Sequence, residues 1–114
     1  MENCLFCKII NKQISADIVY SNGSILSFRD INPVAPTHVL IIPKFHISTL
    51  NDIRNNHSNI LGEIMLAAKE VAAIEGIAKE GYRTIFNCNK NAGQTVFHIH
   101  LHLIGGRSLG WPPG

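Results

Sequence analysis

The segment TVFHIHLHLIGG, Thr95–Gly106, sets His98, His100 and His102 at two-residue spacing, and this one stretch holds half of the chain's six histidines. In an extended strand, side chains alternate between faces. His98, His100 and His102 then share one face, while Ile99, Leu101 and Leu103 turn the other way toward a core. Neighbouring imidazoles on one face stand ~7 Å apart, too far to stack directly but close enough to surround one small anion. Three chemistries suit such a row. A solvated histidine face is the plainest, although Thr is the more usual solvent-facing strand residue. A zinc site is the second, since His-x-His on a strand is a ligand pattern. The third is phosphoryl or nucleotidyl transfer. Imidazole is a nucleophile near neutral pH, and its neighbours can pass protons or stabilise phosphate charge.

The turn before this row favours the third chemistry. In AGQT, Ala92–Thr95, Gly93 allows close backbone approach, so that peptide N–H groups can point at a phosphate. Gln94 is a second polar side chain there, and Thr95 adds a hydroxyl. Asn87, at the end of the preceding apolar run, is a further donor. Gly-containing turns are common, and this one gains meaning only beside the histidines. Cys4 and Cys7 form a C-x-x-C pair, which in a reducing compartment marks a metal or redox site. A thioredoxin-like role is disfavoured because no strand leads into the pair. Cys88, alone among apolar residues, reads as a small buried side chain.

These residues need elements to place them. A short helix is expected over about Leu5–Asn11. Ile18–Tyr20 and Ile25–Arg29 read as a hairpin around the Asn-Gly of SNGS. DINPVAPTH carries Pro33 and Pro36 and must be a loop. His38–Ile42 is a buried strand that Pro43 ends. From about Asn56 to Glu75, Ile60, Leu61, Ile64, Met65, Ala68, Val71 and Ala72 recur at helical spacing, and Gly76 is a C-cap. Tyr82–Asn87 is a strand, Asn89–Thr95 a polar turn, and the final strand carries the histidines. Hairpins at both ends argue for an α+β antiparallel sheet with its long helix on one face.

Composition narrows the partners. A chain of 114 residues forms one domain, residues 1–114, with a core that needs no staples. A net charge of +2 without any basic run argues against nucleic acid. No apolar run approaches a bilayer span, so no membrane is expected. The opening MENCLFCKII does not read as a secretory leader. A reducing, cytoplasmic address follows, and three cysteines make no disulfide framework.

The run His98-Ile-His-Leu-His-Leu-Ile104 resembles the signature of the histidine triad (HIT) superfamily. FCKII, DINPVAPTHVLIIPKFHIS, GYR, AGQTVFHIHLHLIGGR and the terminal WPPG extend the resemblance over essentially the whole chain. They are similar to the Hint branch, the histidine triad nucleotide-binding proteins that act as purine nucleoside phosphoramidases. The resemblance implies a HIT-like fold: a five-stranded antiparallel sheet with one long and one short helix, dimerising into a continuous sheet. It implies that His100 attacks the α-phosphorus of an AMP or GMP conjugate, either a 5′-phosphoramidate or an acyl-adenylate. A covalent nucleotidyl-histidine forms, and water then releases the monophosphate. Nδ1–H of His100 is expected to be held by a backbone carbonyl, leaving Nε2 free. His102 and His38 would stabilise phosphate charge and manage protons. His38 taken alone reads as a satisfied buried histidine. Thr95 replaces the usual serine and keeps its hydroxyl.

The resemblance further places Asp30 on the ribose hydroxyls, a suitable task for a carboxylate acceptor. Taken alone, Asp30 reads equally as a turn residue. Phe28, Arg29, Ile31, Leu5, Phe6, Ile9 and Ile14 match the base and ribose pocket. Arg29 departs from the branch, where histidine is common. Asn87, Gly93 and Gln94 complete the phosphate side. One extra residue sits near IAKEG. Trp111, in the tail, would approach the partner protomer's site. Some bacterial HIT proteins bind structural zinc through a Cys-Cys-His-His set, which implies Cys4, Cys7, His46 and His98 as ligands here. Relatives lacking the cysteines still work, so zinc is not required for catalysis. Three other readings compete: a dinucleoside polyphosphate hydrolase, a nucleotide-binding adaptor with incidental hydrolysis, and a metal carrier.

Overall fold

The computed structural model describes residues 3–114. Five strands form one antiparallel sheet: β1 (Ile18–Ser21), β2 (Ile25–Arg29), β3 (Thr37–Pro43), β4 (Tyr82–Phe86) and β5 (Leu101–Gly105), in the order β1-β2-β3-β5-β4. A short helix, α1 (Leu5–Ile10), precedes the sheet. The long α2 (Ser58–Ile74) separates β3 from β4, and the single turn α3 (Asn89–Ala92) precedes β5. The expected α+β architecture is the one found.

Local chemistry explains most boundaries. Asn22 Oδ1 accepts from the N–H groups of Ser24 and Ile25, both at 2.9 Å, and closes the first hairpin. The long helix starts after a short 3-10 turn at Asn55–His57, later than the apolar pattern suggested. It ends where Gly76 takes a φ of +72°. There the N–H of Ile77 bonds back to Ala72 O at 3.0 Å, and that of Gly76 to Ala73 O at 3.2 Å, a glycine-closed helix end. Ala67 is buried where Leu61 and Met65 were expected. Leu61 is half-buried, and Met65 is 48% exposed.

The sheet divides two apolar clusters. On one face, Ile60, Ile64, Ala68 and Val71 of α2 pack against Ile25, Val39, Ile41, Ile99, Leu101 and Leu103. On the other, α1 lays Phe6 and Cys7 over Leu26, Phe28, Leu40 and Ile42. The two central strands β2 and β3 feed both clusters by alternation. The histidine row therefore faces α1, and α2 is a support behind it.

Gly106 follows β5 with a φ of +89°, and a Cβ there would stand 2.9 Å from Pro36 Cβ. Pro36 belongs to the loop that leads into β3. Gly106→Ala should therefore destabilise the fold by about 1–3 kcal/mol, from left-handed backbone strain plus overlap. Urea unfolding compared with Gly110→Ala, where a Cβ meets nothing within 4 Å, checks this.

Candidate active site

β5 pairs with β3 so that Leu40 stands opposite His102, and Ile104 opposite His38. The two histidines are thus diagonal neighbours on one face. Nε2 of His38 lies 2.9 Å from Nδ1 of His102. Hydrogen-bond partners assign the tautomers. The N–H of Val34 donates to Nδ1 of His38 at 3.2 Å, so the proton of neutral His38 sits on Nε2. That Nε2–H faces Nδ1 of His102, with Asp30 Oδ2 at 3.4 Å, which leaves the His102 proton on its own Nε2. Burial lowers the pKa of His38, opposed by the Asp30 carboxylate. Burial, then the neighbouring His100 and His38, pushes His102 down to about 4. Both rings are neutral at pH 7.

His100 is 7% exposed. Its Nδ1 donates to the carbonyl of His98 at 2.8 Å, so Nε2 carries the lone pair. The edge of Phe6 packs on its ring, centroid to centroid at 5.0 Å. Burial lowers its pKa, opposed by the bond to His98. One expectation needs correcting. Only His102 lies within β5, since residues 95–100 carry no strand. The ideal spacing therefore does not hold, and the rings of His100 and His102 approach to 4.9 Å. Alternation persists all the same, with Ile99, Leu101 and Leu103 on the helix side.

A cleft of about 560 Å³ opens beside these rings. Phe6, Ile9, Phe28, Leu5, Ile14 and Ile31 line it, as do Asp30, Thr95, His100 and His102. Leu40 and Val96 line it too and were not singled out from the sequence. Leu40 sits two residues from His38 in a strand, so alternation alone would have found it. The amide of Val34 carried no side-chain signal.

Other expected contacts fall elsewhere. Arg29 reaches the rim, but its guanidinium pairs with Glu75 (NH2 to Oε2, 2.9 Å) and with Asp17 at 3.3 Å. Gln94 is buried and spends its amide on backbone. It accepts from Asn89 N–H at 2.8 Å and donates to Ser48 O at 2.9 Å and Val96 O at 3.2 Å. The N–H groups of Gly93 and Gln94 bond to Lys90 O and Asn89 O, closing α3 instead of facing the cleft. Gly93 earns its place through its φ of +87°. Asn87 follows β4 outside the cleft lining, and Cys88 is half-buried, not buried. Trp111 is 82% exposed and lies against the Arg83 guanidinium at 5.9 Å, away from the cleft of its own chain.

His98 is fully buried and turned toward α1. Its Nε2 donates to Pro43 O at 2.9 Å, which leaves Nδ1 as a lone pair. That Nδ1 lies 3.4 Å from Cys4 Sγ and 3.6 Å from Cys7 Sγ. Nδ1 of His46 is also 3.6 Å from Cys7 Sγ, while its Nε2 pairs with Ser48 Oγ at 2.9 Å. All four ligand atoms lie within 4.8 Å of one another. Ligand atoms around a tetrahedral zinc stand roughly 3.3–3.8 Å apart, and both imidazoles are oriented by a second partner, as metal-bound histidines are. The donor set fits zinc.

Among known proteins, the HIT domain profile matches residues 11–109. The chain is 50% identical over 109 residues to the purine nucleoside phosphoramidase of Escherichia coli K12, covering 96% of this chain and 92% of that one. It is 50% identical over 113 residues to an uncharacterized HIT-like protein of Synechococcus elongatus, covering 99% and 98%. The crystal structure of a HIT family hydrolase from Legionella pneumophila superposes with a TM-score of 0.96 at 54% identity, covering 98% of this chain and all of that one. With the triad on one face of this sheet and relatives matched end to end, the chain belongs to the HIT superfamily, in its Hint branch.

Proposed function

We propose that this HIT hydrolase cleaves purine nucleoside 5′-phosphoramidates, and acyl-adenylates by the same route, through a covalent nucleotidyl-histidine on His100. The observation that carries this is the 2.8 Å bond from His100 Nδ1 to its own chain's carbonyl. A fixed Nδ1–H leaves an unprotonated Nε2 aimed into the cleft, the requirement for attack on phosphorus. The Nε2–P bond forms as the P–N bond breaks. The departing amine takes the proton on Nε2 of His102, which water replaces. The hydroxyl of that water then attacks phosphorus and frees His100. Overall, water's proton ends on the amine and its hydroxyl on the monophosphate.

The remaining residues orient the substrate. Asp30 accepts from the ribose hydroxyls. Phe6, Ile9, Phe28 and Ile31 hold the base, and Thr95 donates to phosphate. Two copies join along the open edge of β4, which brings Trp111 to the partner's cleft. Cys4, Cys7, His46 and His98 hold one zinc. When bound, the metal supplies a cross-link between α1 and the histidine segment and offers no open position for chemistry. The cytoplasm, reducing and rich in nucleotides, suits both thiols and substrate.

Hydrolysis of adenosine 5′-phosphoramidate tests the central claim. His100→Ala should lower kcat by ~10³-fold or more, and intact-mass spectra should lose the nucleotidyl adduct seen in wild type. A variant nearly as active removes His100 from its role.

Metal analysis of purified protein should give one zinc per chain. Cys4→Ala/Cys7→Ala should lose it and lower Tm, while hydrolysis stays within about tenfold of wild type, because all four ligands lie off the reacting atoms.

Acid stability follows from His102. Its pKa is pushed from 6.5 to about 4, so between those values the unfolded chain binds a proton that the folded chain refuses. The contribution is whole above pH 6.5 and is lost as pH falls through about 4. Urea midpoints should fall across that window, and less steeply for His102→Gln.

A further inference from the structure

Arg107 closes the AGQTVFHIHLHLIGGR run, yet it lies off the cleft lining and has no part in the reaction above. Its guanidinium donates to two backbone carbonyls, from NH2 to Val34 O at 2.9 Å and from NH1 to Ser108 O at 3.0 Å. Val34 is also the residue whose N–H donates to Nδ1 of His38 at 3.2 Å. We propose that Arg107 is a positioning residue: by anchoring Val34 it fixes the tautomer of His38, and through His38 it keeps the proton of His102 on the cleft side.

Val34 needs an anchor from outside its own loop. Ile31, Asn32, Pro33, Val34 and Pro36 are all exposed, so burial does little to hold the segment. Pro33 and Pro36 have no N–H to give. The amide of Asn32 turns inward on the loop and donates to Asp30 Oδ1 at 2.8 Å. Residues 106–107, just after β5, supply what is missing. Gly106 lies so close to Pro36 that a Cβ there would overlap it, and Arg107 takes the Val34 carbonyl. A hydrogen bond from a cation is stronger than one between neutral groups, and the flat guanidinium spans two carbonyls at once.

The consequence passes through two rings. It rests on the reaction proposed above, in which the leaving amine takes its proton from Nε2 of His102. With the Val34 N–H in place, Nδ1 of His38 is the acceptor and the His38 proton sits on Nε2. That N–H faces Nδ1 of His102 at 2.9 Å, so the His102 proton sits on its own Nε2. Without the Val34 amide, His38 can carry its proton on Nδ1. Its Nε2 then becomes a lone pair, and His102 turns its proton inward to Nδ1. Each ring still holds one proton, but Nε2 of His102 has none to give. Asp30 Oδ2, 3.4 Å from His38 Nε2, still favours a proton there. Loss of Arg107 therefore shifts the two rings partway and does not invert them.

Histidine-selective 15N NMR of the intact protein reads the tautomers directly, since protonated and bare ring nitrogens resonate far apart. Wild type at neutral pH should carry the His38 proton on Nε2. Arg107→Ala should move His38 and His102 together toward Nδ1–H. Arg107→Lys, which keeps a cation within reach of a carbonyl, should stay closer to wild type. Hydrolysis gives a second reading, because an amine leaves with a proton and the carboxylate of an acyl-adenylate leaves without one. Arg107→Ala should lower kcat/KM about tenfold for adenosine 5′-phosphoramidate and about threefold or less for acetyl-adenylate. If folded Arg107→Ala keeps the wild-type tautomers, or slows both substrates equally, Arg107 is only a loop anchor and the inference is overturned. If that variant does not fold, Arg107→Gln, which keeps bulk without charge, is judged by the same criteria. If wild type cleaves neither substrate, the phosphoramidase reading falls, and the tautomer comparison alone decides the role of Arg107.

Discussion

The register of β5 on β3 is the constraint from which the rest follows. Leu40 opposite His102 puts His38 and His102, 64 residues apart in the chain, at hydrogen-bond distance. A slip of one residue would turn the histidines toward α2 and the leucines toward the cleft. The aliphatic face prevents that slip. Leu101 and Leu103 are almost wholly buried beneath α2, and exchanging them for imidazoles would bury polar rings without partners. The hydrophobic side of the sheet thus specifies the position of the polar side, although no residue of α2 lines the cleft.

Three of the imidazoles are placed by a backbone group as well. Val34 N–H holds His38, His98 C=O holds His100, and Pro43 C=O holds His98. Backbone atoms cannot choose another rotamer, so tautomers assigned this way persist. The three histidines of the row consequently do different things. His98 offers Nδ1 to the thiols, His100 offers Nε2 to the cleft, and His102 offers a proton. Identical side chains acquire separate chemistry from which ring nitrogen the chain occupies.

Much of this was legible from residue types and spacing. Alternation sorted histidines from aliphatics, the Asn-Gly turn marked the first hairpin, and Gly76 closed the long helix. The family resemblance, not spacing, joined His46 and His98 to the Cys4/Cys7 pair, and the fold brings those four together. What escaped had physical reasons. Where β5 begins depends on its partners, so His98 and His100 fell outside it. Gln94 looked like a ligand donor, but a buried amide satisfies backbone groups first, and the direction of that amide is a tertiary matter. Arg29 follows Phe28 in a strand, so alternation already placed it on the opposite face, where Glu75 waits at the end of α2. The amide of Val34 could not be found from side-chain chemistry at all.

The cleft's shortage of free positive charge bears on turnover. Among the described residues Arg29 is the only Lys or Arg on its lining, and that guanidinium is already engaged by carboxylates. The rings of His38 and His102 are uncharged at neutral pH, and Asp30 adds a negative group. Such a cleft holds a phosphoryl group through N–H and O–H dipoles, which suffice for one negative charge. A nucleoside phosphoramidate, with one ester and one P–N bond, carries one, whereas the free monophosphate carries nearly two at pH 7. Under the proposed reaction, the product's second charge meets no free countercharge in this cleft, so the neutral histidines give the monophosphate no electrostatic advantage over the substrate that shares its base and ribose.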